Sequence, residues 1–215
     1  MYVHCVQRQS IMGSGLSAST TTTTTNSPPP TLTIMDGHCS ILERAGNQLL
    51  SRSAVESKVL DLLQTHQTTV IFAASGQGKS TFVAQLVSKV TTFDVVHSVF
   101  IGSVAGSTNL YRVLVELCSV LLDDLKNFHL IDIELFPFKT NLPQDEMGLA
   151  GLLAKILLHL ANSGKTVLIC LDALNELEGT VARTLTFLPH QTSSSIKFLL
   201  TTIYKGEKIR EKIGD

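Results

Sequence analysis

At 215 residues the chain suffices for one α/β domain with a sizeable core and is too short for two full domains with linkers. Its hydrophobic fraction of 44% falls in blocks separated by charge, the pattern of buried strands and amphipathic helices. Seventeen basic against 18 acidic side chains leave a net charge of −1, too weak a field to hold a polyanion, so no nucleic-acid partner is indicated.

The N-terminal apolar residues are interrupted by Gln7, Arg8 and Gln9, which rules out the unbroken core of a signal peptide. Cys5, Cys39, Cys118 and Cys170 show neither CxxC nor Cys/His spacing, which fits a reduced, cytoplasmic compartment. Residues 1–40 carry the threonine run Thr20 to Thr25 and then Pro28-Pro29-Pro30, a Ser/Thr/Pro-rich composition with little to bury. They are expected to form a disordered arm, either simply solvated or serving as a modified or partner-binding tail, ahead of a core over residues 41–215.

In the core, Ser53-Ala54-Val55-Glu56 has the spacing of a capping box and precedes Val59, Leu60, Leu62 and Leu63, predicting a helix over 54–65. A short apolar and β-branched strand over 68–73 runs into a glycine-rich turn, and helical periodicity returns over 80–90. A second strand is predicted over 95–101, then a helix over 109–125 capped by Ser107 or Thr108. Pro137 and Pro143 mark a loop over 126–143, followed by a helix over 144–162 that stops at Ser163-Gly164. The run within it from Met147 to Ala161 carries Lys155 and His159 and falls short of the roughly 20 residues that span a bilayer, so no membrane partner is indicated. Two further strands follow, over 167–171 ending in Asp172 and over 196–201. Helices between buried strands predict an α/β fold with a parallel, doubly wound sheet of the P-loop NTPase type and flanking helices.

The turn reads Ala73-Ala74-Ser75-Gly76-Gln77-Gly78-Lys79-Ser80-Thr81 and matches GxxxxGK[ST] except at its first position, where Ala73 stands for Gly. Such a loop aims backbone N–H groups and a helix N-terminus at phosphate oxygens, and Gly76 and Gly78 supply bare backbone where side chains would clash. Ser75, Gly76, Gln77, Gly78, Lys79, Ser80 and Thr81 are therefore the expected nucleotide-binding residues. Lys79 would reach the β- and γ-phosphates, and Ser80 would ligate Mg²⁺. The competing reading is an ordinary strand-to-helix turn with a surface lysine. Asp172, at the end of the apolar strand over 167–171, weighs against that reading, because a second Mg²⁺ ligand is expected to emerge there beside the loop. Taken alone, Asp172 would read as a helix cap or a loop acid. ATP is the expected nucleotide, since no NKxD-like guanine-reading element is present. A kinase reading of the same loop would need a basic lid, and Arg112, Arg183 and Lys205 form no arginine-rich cluster.

Four stretches carry a family resemblance: residues 72–81; His97-Ser98-Val99-Phe100-Ile101-Gly102 with Ser107-Thr108-Asn109; Leu171-Asp172-Ala173-Leu174-Asn175-Glu176-Leu177-Glu178; and Phe187-Leu188-Pro189 leading into Lys197-Phe198-Leu199-Leu200-Thr201-Thr202. Over residues 50–202 the sequence resembles the NACHT-like branch of the STAND signal-transduction ATPases, in particular the nucleotide-binding modules of telomerase-associated and nephrocystin-type proteins. The resemblance implies that Lys79, Ser80 and Asp172 contact Mg-ATP and that an acid just past Asp172 positions the attacking water. This chain has Asn175 three residues on and Glu176 one further, so Glu176 is the candidate catalytic base, with an exposed helix face as its alternative. The family's sensor strand corresponds to 198–201; Thr201 or Thr202 stands at its end, and Ile203 replaces the expected arginine. His97 is read either as a ligand-side group or, more simply, as a core histidine. The lid and repeat domains of such proteins are expected to be absent from a core truncated after the sensor-like strand, and protein partners would act through those regions. The expected activity is ATP binding with slow hydrolysis at most, with a non-hydrolysing scaffold and a P-loop kinase as alternatives.

Overall fold

The computed structural model describes residues 53–130, 135–139, 141–179, 185–189 and 193–203; the N-terminal arm of residues 1–40 lies outside them. The elements in chain order are α1 (Ser53–Thr65), β1 (Thr68–Phe72), α2 (Lys79–Lys89), β2 (Val95–Phe100), α3 (Leu110–Asn127), α4 (Glu146–Asn162), β3 (Val167–Asp172) and β4 (Ile196–Thr202). Single 3₁₀ turns occupy Phe136–Lys139 and Leu174–Glu176.

The strands form one all-parallel sheet in the order β1-β4-β3-β2. Every residue of β2, β3 and β4 is buried, which explains why their sequences are continuous apolar runs: each strand covers a core on both faces. Val95, Val99, Val167, Ile169, Leu171, Ile196, Phe198 and Leu200 pack against α3 and α4. The alternate residues Val96, Phe100, Leu168, Cys170 and Leu199 pack against α1 and α2. The helices that follow β1 and β2 therefore lie on opposite faces, and the strands' C-terminal ends share one edge. This is the α/β architecture expected from the sequence and compatible with a P-loop NTPase fold.

Two buried polar side chains, Lys197 and His97, have specific partners in this core. Lys197 on β4 is buried and donates to the carbonyls of Gln64 (3.2 Å) and His66 (3.0 Å), so its charge meets the C-terminal end of α1. His97 Nε2 lies 2.5 Å from Asp124 Oδ2 of α3, with both side chains buried. His97 is thus a core residue under α3.

The helix starts differ from the sequence expectation. Ser53 lies inside α1, so it is the first helical residue and not its cap. Asn109 caps α3, accepting from the Arg112 N–H at 3.0 Å, in place of Ser107 or Thr108. The reason is position: the first helical residue is Leu110, and Asn109 directly before it has the extended backbone of a cap (φ −83°, ψ 114°), while Ser107 donates to Val104 O (2.7 Å) and Thr108 to Glu178 Oε1 (3.0 Å). Helix α4 starts after Asp145, which accepts from the Gly148 N–H at 2.8 Å. It ends as expected: Gly164 takes φ 73°, with Lys165 N–H bonded to Leu160 O (2.9 Å) and Gly164 N–H to Ala161 O (3.0 Å).

Candidate functional site

The loop of residues 73–78 leaves the C-terminal end of β1 and turns directly into α2. Gly76 (φ 77°) and Gly78 (φ 71°) both adopt the left-handed backbone that other residues disfavour. Gly78 stands at the N-cap of α2 with no side chain to offer the first-turn N–H groups, an arrangement that suits an anion. Ala73, the departure from the loop pattern, does not take a positive φ. Its N–H donates to Thr202 O at 3.4 Å, continuing the β1–β4 ladder, so this position tolerates a methyl group.

Lys79 opens α2 and folds back over the loop. Its Nζ donates to Ala73 O and Ala74 O, each at 2.9 Å, so the ammonium lies within the turn that the loop encloses. Ser80, next on the helix, donates through Oγ to Asp172 Oδ2. Asp172 ends β3, two positions across the sheet from β1, and is 2% exposed. The bond therefore spans the end of β4 and joins two elements far apart in sequence. Ser75 and Gln77 are exposed on the loop and Thr81 is half-buried in the first turn of α2.

The other carboxylate oxygen of Asp172 accepts from Thr201 Oγ1 of β4, and Thr201 Oγ1 in turn accepts the Ala173 N–H at 2.9 Å. Ala173 takes φ 59°, so the chain turns sharply at the acid. Asn175 directs its amide oxygen to the Ile203 N–H (3.2 Å) and the Thr202 hydroxyl (3.5 Å), and its Nδ2 donates to Glu176 Oε1 (2.6 Å). Asn175 thus holds the end of β4. Glu176 is exposed, its stem within reach of Gly102 at the end of β2. Glu178 is strapped to the loop before α3 through its N–H to Thr108 O (2.9 Å) and the Thr108 hydroxyl bond.

Sequence reasoning named Thr201 only as an alternative to Thr202, and it missed the roles of Ala173 and Asn175. The structure shows why Asp172 and Thr201 meet: each follows the last registered β3–β4 pair, Leu171 with Leu200, a pairing that the sequence does not display.

Among the described residues no three His, Cys, Asp or Glu side chains cluster to hold a metal ion. Asp172 and Ser80 together offer a carboxylate and a hydroxyl, hard oxygen donors that suit Mg²⁺, which characteristically takes one or two carboxylates and completes its shell with water and phosphate. The thiols play no part in such a set. Burial, reinforced by the Asp172 charge, pushes the Cys170 thiol well above its usual range, and burial raises Cys118 to about 12. Both therefore remain neutral and act as small hydrophobes.

No curated protein and no solved structure matches the chain. The family model described as nephrocystin 3, N-terminal, matches residues 45–202, a stretch that includes every element from α1 to β4. On that match the chain belongs to the nephrocystin 3 N-terminal family.

Proposed function

We propose that the chain binds a magnesium nucleoside triphosphate, ATP in preference to GTP, at the C-terminal edge of the sheet. The observation that carries this reading is the meeting of Ser80, at the start of α2, with the buried Asp172 carboxylate from β3. A turn that merely joined β1 to α2 would have no need of a buried acid delivered from a strand two positions away. In this reading the N–H groups of residues 75–81 cradle the phosphates, Lys79 exchanges its carbonyl partners for β- and γ-phosphate oxygens, and Ser80 and Asp172 hold Mg²⁺. The bound metal would neutralise phosphate charge, while the protein side chains bind and orient it.

The module would serve as a STAND- or NACHT-like signalling or scaffold ATPase core in the cytoplasm, with protein partners engaging regions outside the described residues. A non-hydrolysing scaffold is the second reading, favoured by the engagement of Asn175 with β4 and the exposure of Glu176. Titration with labelled ATP, ADP and GTP, with and without Mg²⁺, tests the assignment, and phosphate release separates the two readings. Absence of Mg²⁺-dependent triphosphate binding refutes the proposal.

A further inference from the structure

We infer that Thr201 is a positioning residue that fixes the rotamer of Asp172 and so sets which carboxylate oxygen faces α2. The inference rests on the nucleotide-binding reading and goes beyond it, because the end of β4 then acts on the acid and not on the phosphate. Thr201 is fully buried (0% exposed), between the strand of the acid and the strand of the phosphate loop: its backbone is in register with Ile71 of β1, and its side chain meets Asp172 of β3. A hydroxyl carries one proton. With the Ala173 N–H directed at Oγ1 from 2.9 Å, that proton is turned to Asp172 Oδ1. Asp172 Oδ1 is thereby held on the β4 side, and Oδ2 is the oxygen presented to Ser80.

Two further features make this a fixed device. Threonine is β-branched, so its χ1 is restricted and the hydroxyl direction is set by packing. Ala173, in the left-handed conformation, turns its N–H back toward β4 and completes the ring of bonds. A direct contact from Thr201 to a terminal phosphate would require its proton to leave Asp172 and its buried hydroxyl to reach past the carboxylate. The geometry therefore favours a role through the acid.

The test compares the full chain with Thr201→Val, which keeps the shape and loses the hydroxyl, and Thr201→Ser, which keeps the hydroxyl. The readout is the Mg²⁺ concentration that gives half-maximal ATP binding, together with ATP affinity in EDTA. Loss of a group that orients a metal ligand typically weakens metal affinity about 10- to 100-fold, and that is the rise in Mg²⁺ requirement expected for Thr201→Val. Affinity in EDTA should stay at the wild-type value, and Thr201→Ser should restore the Mg²⁺ requirement. An unchanged Mg²⁺ requirement in a folded Thr201→Val variant overturns the inference, as does an equal loss with and without metal. If the valine variant does not fold, Thr201→Ser against Thr201→Cys, a weak donor of similar size, decides: equal Mg²⁺ requirements in these two overturn it. Wild-type chain that binds no ATP in either condition refutes the nucleotide reading itself, an outcome distinct from a failure confined to the variants.

Discussion

Lys79 and Asp172 are separated by 93 positions, and the acid meets the residue that follows the lysine, Ser80. Lys79 Nζ rests on two carbonyls of its own loop, so its stem is already directed into the turn where phosphate oxygens would sit. Lys79→Ala should lower triphosphate affinity by at least about 10- to 100-fold, the equivalent of about 1.5–3 kcal/mol for a charge-assisted hydrogen bond. Lys89→Ala serves as the control: that side chain is 58% exposed and pairs with Glu56 at 3.1 Å on the surface, away from the loop. Isothermal titration of both variants checks the pair, and unchanged affinity in Lys79→Ala refutes the loop assignment. Asp172→Asn should act differently, since its oxygen contributes through the metal. Binding measured with Mg²⁺ should weaken by at least about tenfold while binding in EDTA holds. Equal losses in the two conditions would make Asp172 a structural residue that merely tethers Ser80 and Thr201.

At the scale of elements, the opposite edge of the sheet supplies a separate test. Asp94, at the entry to β2, accepts the Thr166 N–H at 2.8 Å and the Thr166 hydroxyl at 2.7 Å, and its other oxygen lies 3.7 Å from Lys165 Nζ. These bonds pin the start of β2 to the start of β3. The Thr166 backbone bond foremost, then its hydroxyl, holds the Asp94 carboxyl below its ordinary 3.8, with partial burial opposing and Lys165 assisting. The folded state thus binds this proton less readily than the unfolded chain. The stabilisation is fully present above the unfolded value and is lost as pH falls through the folded one. Urea midpoints of wild type and Asp94→Asn should differ near neutrality and converge in acid; a gap that stays constant down to about pH 2 contradicts the assignment. The elements themselves were legible in the sequence because burial on both faces writes a continuous apolar run, as in Val167-Leu168-Ile169-Cys170-Leu171. Helix caps were less so: Ser107, Thr108 and Asn109 are all competent caps by residue type, and it is the start of the helix at Leu110 that leaves Asn109 to accept the N–H. The glycine-rich turn after β1 and the acid at the end of β3 stand out because each has a local signature. The insertion of β4 between their strands, which brings Thr201 to the acid, depends on strand order, and no local pattern encodes that.

For the molecule as a whole, the same strand order bears on turnover. Phosphoryl transfer to water requires an in-line water, a group to orient it, and positive charge on the transferring group beyond Mg²⁺ and one lysine. Among the described residues the sole arginine is Arg112, in the first turn of α3, where it packs so closely on Gly106 that an added Cβ there would lie 2.5 Å from its Nη1. That helix follows β2, and β4 and β3 intervene between β2 and β1, from which the glycine-rich turn leaves. Ile203, the residue after β4, is apolar, and its N–H is bonded to Asn175 Oδ1. An arginine acting on the terminal phosphate is worth about 10³ to 10⁵ in rate, more than the about 10² to 10⁴ of a general base, so the shortage of positive charge should dominate. Single-turnover phosphate release with saturating Mg-ATP should therefore be very slow, and Glu176→Gln should reduce it only modestly. Asn175→Asp should fail to accelerate it. The new carboxylate would lie beside Glu176, lose the donor that now bonds Glu176 Oε1, and still face the end of β4. Fast release by the wild-type chain would overturn this account, because a complete catalytic set would then have to lie among residues assigned here to packing or outside the described part of the chain.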